Sequence, residues 1–245
     1  MPIEKQPVTN AILSIIVDFA GLFGDVLLKS KLKKLAKRLS RDPLNSALSE
    51  FVRLIPSGSR VLNIGAGGEV MDVILANVKT GVEVVSSDVD PARKPDVVDD
   101  LTATKLPAKS FDFVICAEVI EHVINPYAAA ENIRHVLKEG GMAFVSAPFF
   151  FPLHDEPYDF FRYTEFGLRK LFQHCSSINI RARASWGRTA MHLLVRSLWF
   201  KDKRIDLAVQ LLFVWNLPIL LILRPILGRT KTPYFTTGFI CVLTK

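Results

Sequence analysis

Apolar residues cluster in short runs through the middle of the chain and fall at helical spacing toward its ends. Val61–Ile64, Val82–Val89, Phe111–Val119 and Met142–Phe149 are runs of strand length, rich in β-branched residues. Asp96–Leu101 reads as a further short strand, Ser177–Ala184 as another, and Phe235–Thr244 as the last. Helical patterns lie between them, one directly behind the first strand and one at Glu165–Gln173. This alternation predicts a doubly wound α/β sheet. Each strand run ends in polar residues, and in an open α/β sheet those ends share one edge, so the polar groups converge there.

The first of these edges carries the most information. Val61–Ile64 runs straight into Gly65-Ala66-Gly67-Gly68-Glu69. Small residues let a backbone approach a ligand closely, and glycines permit turns closed to other residues. The spacing departs from the dinucleotide fingerprint G-x-G-x-x-G, since Val70 stands where its third glycine belongs. An acid follows the loop instead, which suits a cofactor without a pyrophosphate. A tight βα turn without a ligand is the alternative. Asp88 ends the second strand about 20 residues on, where an acid accepts hydrogen bonds from ribose hydroxyls or caps a turn. Glu118, Glu121 and His122 follow the fourth strand. Glu118 and His122 also stand one helical turn apart and can bond to each other.

VLNIGAGGE, SSDVD, VVDDLTATKLPAKSFDFVICAEVIEHV and HVLKEGGMAFVSAP, in this order and spacing over residues 58–150, resemble a class I S-adenosylmethionine-dependent methyltransferase. The resemblance implies a Rossmann-like fold with a seven-stranded, mostly parallel sheet and helices on both faces. It implies S-adenosylmethionine as cofactor, with Gly65, Ala66 and Gly67 along its methionine part and Asp88 on its ribose. It implies Asp100 and Leu101 at the adenine, and Glu118 and His122 at the border of the pocket. Asp99 and Asp100 can also be a solvated pair, of which one contacts adenine. Asn63 stands where the family often has an acid.

Methyl transfer to a hydroxyl benefits from a base. The stretch after the fifth strand, Pro148–Gly167, is dense in polar and aromatic groups. His154 with Asp155 is the expected base and orienting acid. Tyr158, Arg162 and Tyr163 are the expected substrate contacts, the Arg162 fork suiting a phosphate or carboxylate. The alternative is an Asp159–Arg162 salt bridge that fixes the loop over packed aromatics. No metal-ligand spacing is present.

Charge changes the picture at the two ends. The 245 residues carry 31 basic and 24 acidic groups, a net +7. Residues 11–28 place Ile12, Ile15, Ile16, Phe19, Leu22, Phe23, Val26 and Leu27 on one helical face, and residues 29–41 continue as a lysine-rich amphipathic stretch. Such a stretch lies on anionic lipid or, for residues 11–28 equally, packs across the mouth of the fold. Between the last two strands, Met191–Phe200 and Leu207–Leu227 are dense apolar runs with basic flanks. Pro218 and Pro225 argue against one straight span and for an in-plane or re-entrant hairpin. A homodimer interface is the other reading of such a surface.

Three scattered cysteines, Cys116, Cys175 and Cys241, form no disulfide framework and favour a reducing compartment. The expected organisation is an amphipathic helical region over 1–45, a methyltransferase domain over 46–185 and 233–245, and a hydrophobic insert over 186–232. The expected function is O-methylation of a lipid-linked or glycan substrate by a peripheral or monotopic protein on the cytoplasmic, inner face of a membrane. A quinone-like apolar small molecule is the alternative acceptor, and a non-catalytic membrane scaffold is the alternative role. Nucleic acid is the least favoured partner, because the basic residues accompany apolar stripes without a stacking platform.

Overall fold

The computed structural model describes residues 25–197 and 235–245. Among the described residues seven strands form one sheet in the order β3-β2-β1-β4-β5-β7-β6. They are β1 (Arg60–Ile64), β2 (Glu83–Asp88), β3 (Val97–Val98), β4 (Phe111–Ala117), β5 (Leu137–Pro148), β6 (Ser177–Ala182) and β7 (Gly238–Thr244). β1 to β5 run parallel, and β7 lies antiparallel between β5 and β6. The central strands read as continuous apolar runs because both sheet faces are covered. Side chains alternate between the faces with the period of two that a strand imposes. Leu62, Val114, Cys116 and Val145 join one core with α3 (Pro126–Val136) and α4 (Glu165–Leu171), while Val61, Ile115, Ala117 and Phe144 join the other with α1 (Asp25–Leu54) and α2 (Glu69–Asn77).

α1 runs unbroken through Pro43 and through the domain boundary expected at residue 45, which has no counterpart in the chain's path. Its second half buries Leu44, Leu48, Phe51 and Val52 at helical spacing on the sheet. Its first half buries Ala36 and Ser40, and leaves Lys31, Lys33, Lys34, Lys37 and Arg38 exposed. The buried side meets α5 (Trp186–Ser197), whose His192 ring nitrogen Nδ1 lies 3.1 Å from the Ala36 carbonyl. Thus the first turns of the expected hydrophobic insert pack on α1. The rest of that insert, 198–232, and residues 11–24 of the expected amphipathic helix lie outside the described residues. Among the described residues no helix is long and apolar enough to cross a membrane.

Several element ends differ from the pattern in the sequence. β5 begins at Leu137, five residues before the apolar run at Met142, and its register against β4 shifts between Phe111 and Phe113. Gly140 has φ +72°, and a Cβ on Gly141 would stand 2.9 Å from the Lys138 carbonyl oxygen. Glycine is what lets the strand bulge here, and the polar Lys138–Gly141 run hides the strand from a hydrophobic pattern. β7 begins at Gly238 rather than Phe235, because Thr236 and Thr237 are spent on the β6 end: Thr236 Oγ1 accepts the Ala184 N–H at 3.0 Å.

Candidate active site

β1 and β4 are neighbours, with Ile64 opposite Cys116, so the loops that leave their carboxyl ends touch. Gly65 opens the first loop with φ +91°, and a Cβ there would stand 2.8 Å from Val119 Cγ2 in the second. The Asp88 carboxylate pins the loop from the side. Its Oδ2 accepts the Ala66 N–H at 2.9 Å and its Oδ1 accepts the Asp90 N–H at 3.0 Å. A carboxylate offers about four lone-pair sites. Two therefore remain at Asp88 for the hydroxyls of a ribose. Gly68 has nothing within 4 Å of the position its Cβ would take, so the backbone lies bare on that side. Arg93 reaches over Gly67, with Nε 3.9 Å from Asp88 Oδ2. The residues present thus fit an adenosyl group, with a bare glycine backbone above a partly satisfied acid.

Asp99 and Asp100 part ways. Asp99 spends both oxygens on its own loop, accepting the Thr104 hydroxyl at 2.6 Å and the Lys105 N–H at 2.8 Å. Asp100 caps the turn Leu101–Ala103 through Oδ1 alone, accepting from Thr102 N–H and hydroxyl. Its Oδ2 is left for a ligand, beside a buried Leu101.

Glu118 stands at the end of β4 in a left-handed conformation, φ +57°. Its side chain turns into the protein and pairs with Arg183 at 2.7 Å, both almost fully buried. Ser146 donates to the same carboxylate at 3.0 Å. Burial works against its charge, yet Arg183, aided by Arg41, holds the Glu118 carboxyl below its usual range. Arg183 also donates to the Thr237 carbonyl at 3.0 Å. A Cβ on Gly238 would stand 2.9 Å from the Arg183 Cζ, so only glycine leaves room for the guanidinium. Glu118 therefore borders the pocket from behind, as a buried ion pair.

The chemistry gathers one turn further on. Glu121, His122 and His154 bring one ligand-type atom each within 4.8 Å of one another. His122 is fixed by the Tyr158 carbonyl, 2.8 Å from Nδ1. His154 faces Asp159 Oδ2 with Nδ1 at 3.2 Å and Glu121 Oε1 with Nε2 at 3.8 Å. Asp155 is not its partner. That residue is exposed with φ +52°, and its carboxylate stands 3.9 Å from His122 Nε2 instead. The carboxylate beside its ring is that of Asp159, whose Oδ2 accepts the His154 backbone N–H at 3.0 Å, and sequence adjacency misled because the turn at Asp155 points its side chain outward.

Asp159 is held in turn by both terminal nitrogens of Arg162, at 2.5 and 2.6 Å. Arg162 places its remaining N–H groups on the carbonyls of Phe151, Phe161 and Pro152. A guanidinium has five N–H donors, and the loop takes all of them. Arg162 so fixes the loop and is not available to a substrate anion. Tyr163 is likewise withdrawn: it is buried in the core, its hydroxyl donating to the Ile120 carbonyl at 3.1 Å. Tyr158 is exposed at the rim with Leu153 and Phe160. The facing Glu121 carboxylate, and after it Asp159, push the His154 imidazole above its ordinary value despite burial. Arg162 holds Asp159 down at about 2. Burial raises Glu121, with the Glu118 charge adding to it.

Arg183, Glu121 and Asp159 are the residues that sequence reasoning left out of the site. Asp159 and Glu121 carried a signal, as acids within a dense polar loop and a Glu-x-x-Glu-His run. Arg183 carried none, since its partner is 65 positions away in the chain and no pattern links them. A separate cavity of about 450 Å³ lies at the opposite edge of the sheet, lined among others by Lys109 and Lys245, which both pair with Glu139.

Residues 32–190 match the methyltransferase-domain family. A ubiquinone biosynthesis O-methyltransferase of Xanthomonas axonopodis pv. citri is 35% identical over 122 residues, which cover 42% of this chain and 49% of that protein. A protein of the same name from Glaesserella parasuis is 28% identical over 106 residues, covering 36% and 45%. The match spans about half the length of these curated relatives. Among solved structures, a SAM-dependent methyltransferase from Archaeoglobus fulgidus has TM-score 0.54 at 13% identity, over 85% of this chain and 97% of that one. Phosphoethanolamine N-methyltransferase 2 of Haemonchus contortus, solved with S-adenosyl-L-methionine, has TM-score 0.52 at 16% identity, over 82% and 52%. At these identities the likeness is one of fold.

Proposed function

We propose that this chain, which belongs to the class I S-adenosylmethionine-dependent methyltransferase family, methylates a hydroxyl oxygen on an apolar, quinone-like aromatic molecule. The observation that carries this reading is the His154 imidazole facing the Glu121 and Asp159 carboxylates, in a loop that exposes Leu153, Tyr158 and Phe160. Bound S-adenosylmethionine supplies an electrophilic methyl group. The Gly65–Gly67 backbone and Asp88 hold and orient it, with Asp100 and Leu101 at the adenine end. A quinone carbonyl carries no proton, so the acceptor oxygen is a ring hydroxyl. His154 takes the proton of that hydroxyl at Nε2, the atom turned into the cluster while Nδ1 faces Asp159. Phe151 stacks edge-on against His154 at 5.3 Å, and Tyr158 against Phe160 at 6.4 Å. These rings give the loop an apolar, aromatic surface. The relatives named for ubiquinone biosynthesis support the same class of acceptor.

The lipid-linked or glycan acceptor expected from the sequence has less support. The Arg162 fork that would suit an anionic group on such an acceptor has every N–H committed to the loop. A place at the inner face of a membrane remains part of the proposal. The exposed lysines of α1 suit an anionic surface, each contributing about 1 kcal/mol near it, and an apolar acceptor would dissolve there.

The test is transfer of a labelled methyl group from S-adenosylmethionine to a catechol bearing a prenyl chain, followed by mass spectrometry of the product. The reading expects a mono-O-methylated ring. Label that enters only a sugar or lipid-phosphate fraction overturns the acceptor class, and cofactor binding without transfer to any extract supports the scaffold role instead.

A further inference from the structure

Three atoms with free lone pairs face one another just past β4. His122 has Nδ1 2.8 Å from the Tyr158 carbonyl. A carbonyl only accepts, so the ring proton sits on Nδ1 and Nε2 keeps its lone pair. His154 has Nδ1 3.2 Å from Asp159 Oδ2, and an ionised carboxylate likewise only accepts. Both Nε2 atoms turn toward one oxygen, Glu121 Oε1, at 3.6 Å from His122 and 3.8 Å from His154. Glu121 is fully buried, and neither of its oxygens accepts a hydrogen bond. A buried charge is paired or binds a metal ion. The two guanidinium groups of this region are committed, Arg162 to its loop and Arg183 to Glu118 and Thr237. Among the described residues no Arg or Lys pairs with Glu121, whose contacts are the two imidazoles.

We infer that Glu121, His122 and His154 form a binding site for one divalent transition-metal cation of the zinc type. The spacing fits an ion better than a proton. A hydrogen bond draws its two heavy atoms to about 2.7–3.2 Å, and the contacts to Glu121 are wider than that. Ligand atoms on a tetrahedral ion with bonds of about 2.1 Å stand about 3.4 Å apart. The three atoms lie within 4.8 Å of one another, and small turns of the two rings about their Nδ1 contacts close the set. Each ring already has the outer partner that a metal-bound imidazole takes, a backbone carbonyl for His122 and a carboxylate for His154. The frame is also tied together, since the Glu121 backbone carbonyl accepts the N–H groups of Phe160 and Phe161 at 3.0 and 3.2 Å. Two imidazoles and one carboxylate suit zinc and its neighbours in the first transition row, whereas magnesium and calcium take oxygen ligands. Three protein ligands leave one position open for water. The exposed Asp155 carboxylate, 3.9 Å from His122 Nε2, stands on the solvent side. No spacing in the sequence points to this set, because His154 arrives from a different loop. The site stands apart from the methyl-transfer reading. His154 Nε2 cannot hold an ion and take a proton at once, so the base role assigned to it is that of the ion-free chain.

The experiment strips the purified full chain with a chelator and titrates it with Zn2+ against a chromophoric competitor, without cofactor or acceptor. One equivalent should bind. Co2+ in its place should give the intense visible absorption of a four- or five-coordinate ion. Glu121→Gln, His122→Gln and His154→Gln should each weaken Zn2+ by about a hundredfold or more, and Asp159→Asn by about tenfold through the ring it faces. His135→Gln and His174→Gln, which lie outside the cluster, should change nothing. Binding of less than one equivalent overturns the inference, as does an affinity unmoved by Glu121→Gln. A loss produced equally by His135→Gln or His174→Gln makes the ion adventitious and also overturns it. Displacement of Zn2+ by an equal concentration of Mg2+ overturns the class of ion. If the cluster variants do not fold, X-ray absorption at the zinc edge of the loaded wild type decides. A shell with two imidazoles and oxygen supports the site, and a shell with one imidazole or none overturns it.

Discussion

Three neighbouring glycines make different demands on their places, and alanine at each one measures them separately. At Gly65 a Cβ would stand 2.8 Å from Val119 Cγ2, in a backbone of φ +91°. Two carbons are comfortable at about 3.5 Å or more, so the contact is short by roughly 0.7 Å. Overpacking costs about 1–3 kcal/mol and the backbone conformation about 1–2 kcal/mol, which together predict a loss of about 3 kcal/mol. Gly68 has a similar φ of +78° but open space around its Cβ position, so alanine there should cost only the backbone share, about 1–2 kcal/mol. Gly67 has no such φ, and its Cβ would meet only the end of the Arg93 side chain, so alanine should fall within about 0.5 kcal/mol. Urea unfolding reads the three values. Calorimetry should show the affinity for S-adenosylmethionine falling about tenfold in Gly65→Ala, because the displaced loop carries the Ala66 N–H that Asp88 holds. Val119→Ala removes the obstructing methyl, and the double variant should recover about 1 kcal/mol relative to the sum of the singles. Gly65→Ala no worse than Gly68→Ala, or additive with Val119→Ala, would refute the contact between the two loops.

The other predictions concern charged groups. Arg183→Met leaves Glu118 buried without its partner and should destabilise the fold by about 3–5 kcal/mol, with part of the loss recovered in Glu118→Gln/Arg183→Met; a neutral Arg183→Met in urea unfolding would contradict the pair. Because the folded Glu118 carboxyl is held low, the pair's contribution is present above the unfolded value of about 4.3 and lost as pH falls through the folded one; the acid limb of stability against pH should shrink in Arg183→Met. Asp159, at about 2 against an ordinary 3.8, follows the same sign, contributing about 2 kcal/mol above pH 4 that disappears toward pH 2. In Asp159→Asn this loss should be absent from acid unfolding curves, and an unchanged curve would count against the Asp159–Arg162 fork. Asp88→Ala strands the Ala66 and Asp90 N–H groups and should cost about 1–3 kcal/mol, measured in the same way.

The strands of the cofactor half were legible because each is a short apolar run ended by a polar residue, and the sheet edge follows from that pattern alone. Asp88 and the glycine loop were legible for the same reason, since local spacing sets their places. His154 was legible as the histidine of a dense polar loop, and the carboxylate beside its ring was not, because the turn at Asp155 decides which carboxylate reaches the ring. The ligand roles expected for Arg162 and Tyr163 met a general obstacle. A polar side chain in a loop has as many backbone carbonyls within reach as ligand atoms, and only the folded loop shows which it takes. The β5 start and the Glu118–Arg183 pair were hidden for different reasons. Two glycines within a polar run mask a strand, and a long-range pair leaves no periodic trace.

Titration calorimetry of the purified chain with S-adenosylmethionine and with its demethylated product tests the central claim most directly. A cofactor cradle at the carboxyl ends of β1, β2 and β4 predicts saturable one-to-one binding to the wild type. In Asp88→Ala the loss of charged hydrogen bonds to ribose should weaken it by about a hundredfold. Absence of binding to the wild type at millimolar concentration, or equal binding to Asp88→Ala, would contradict it.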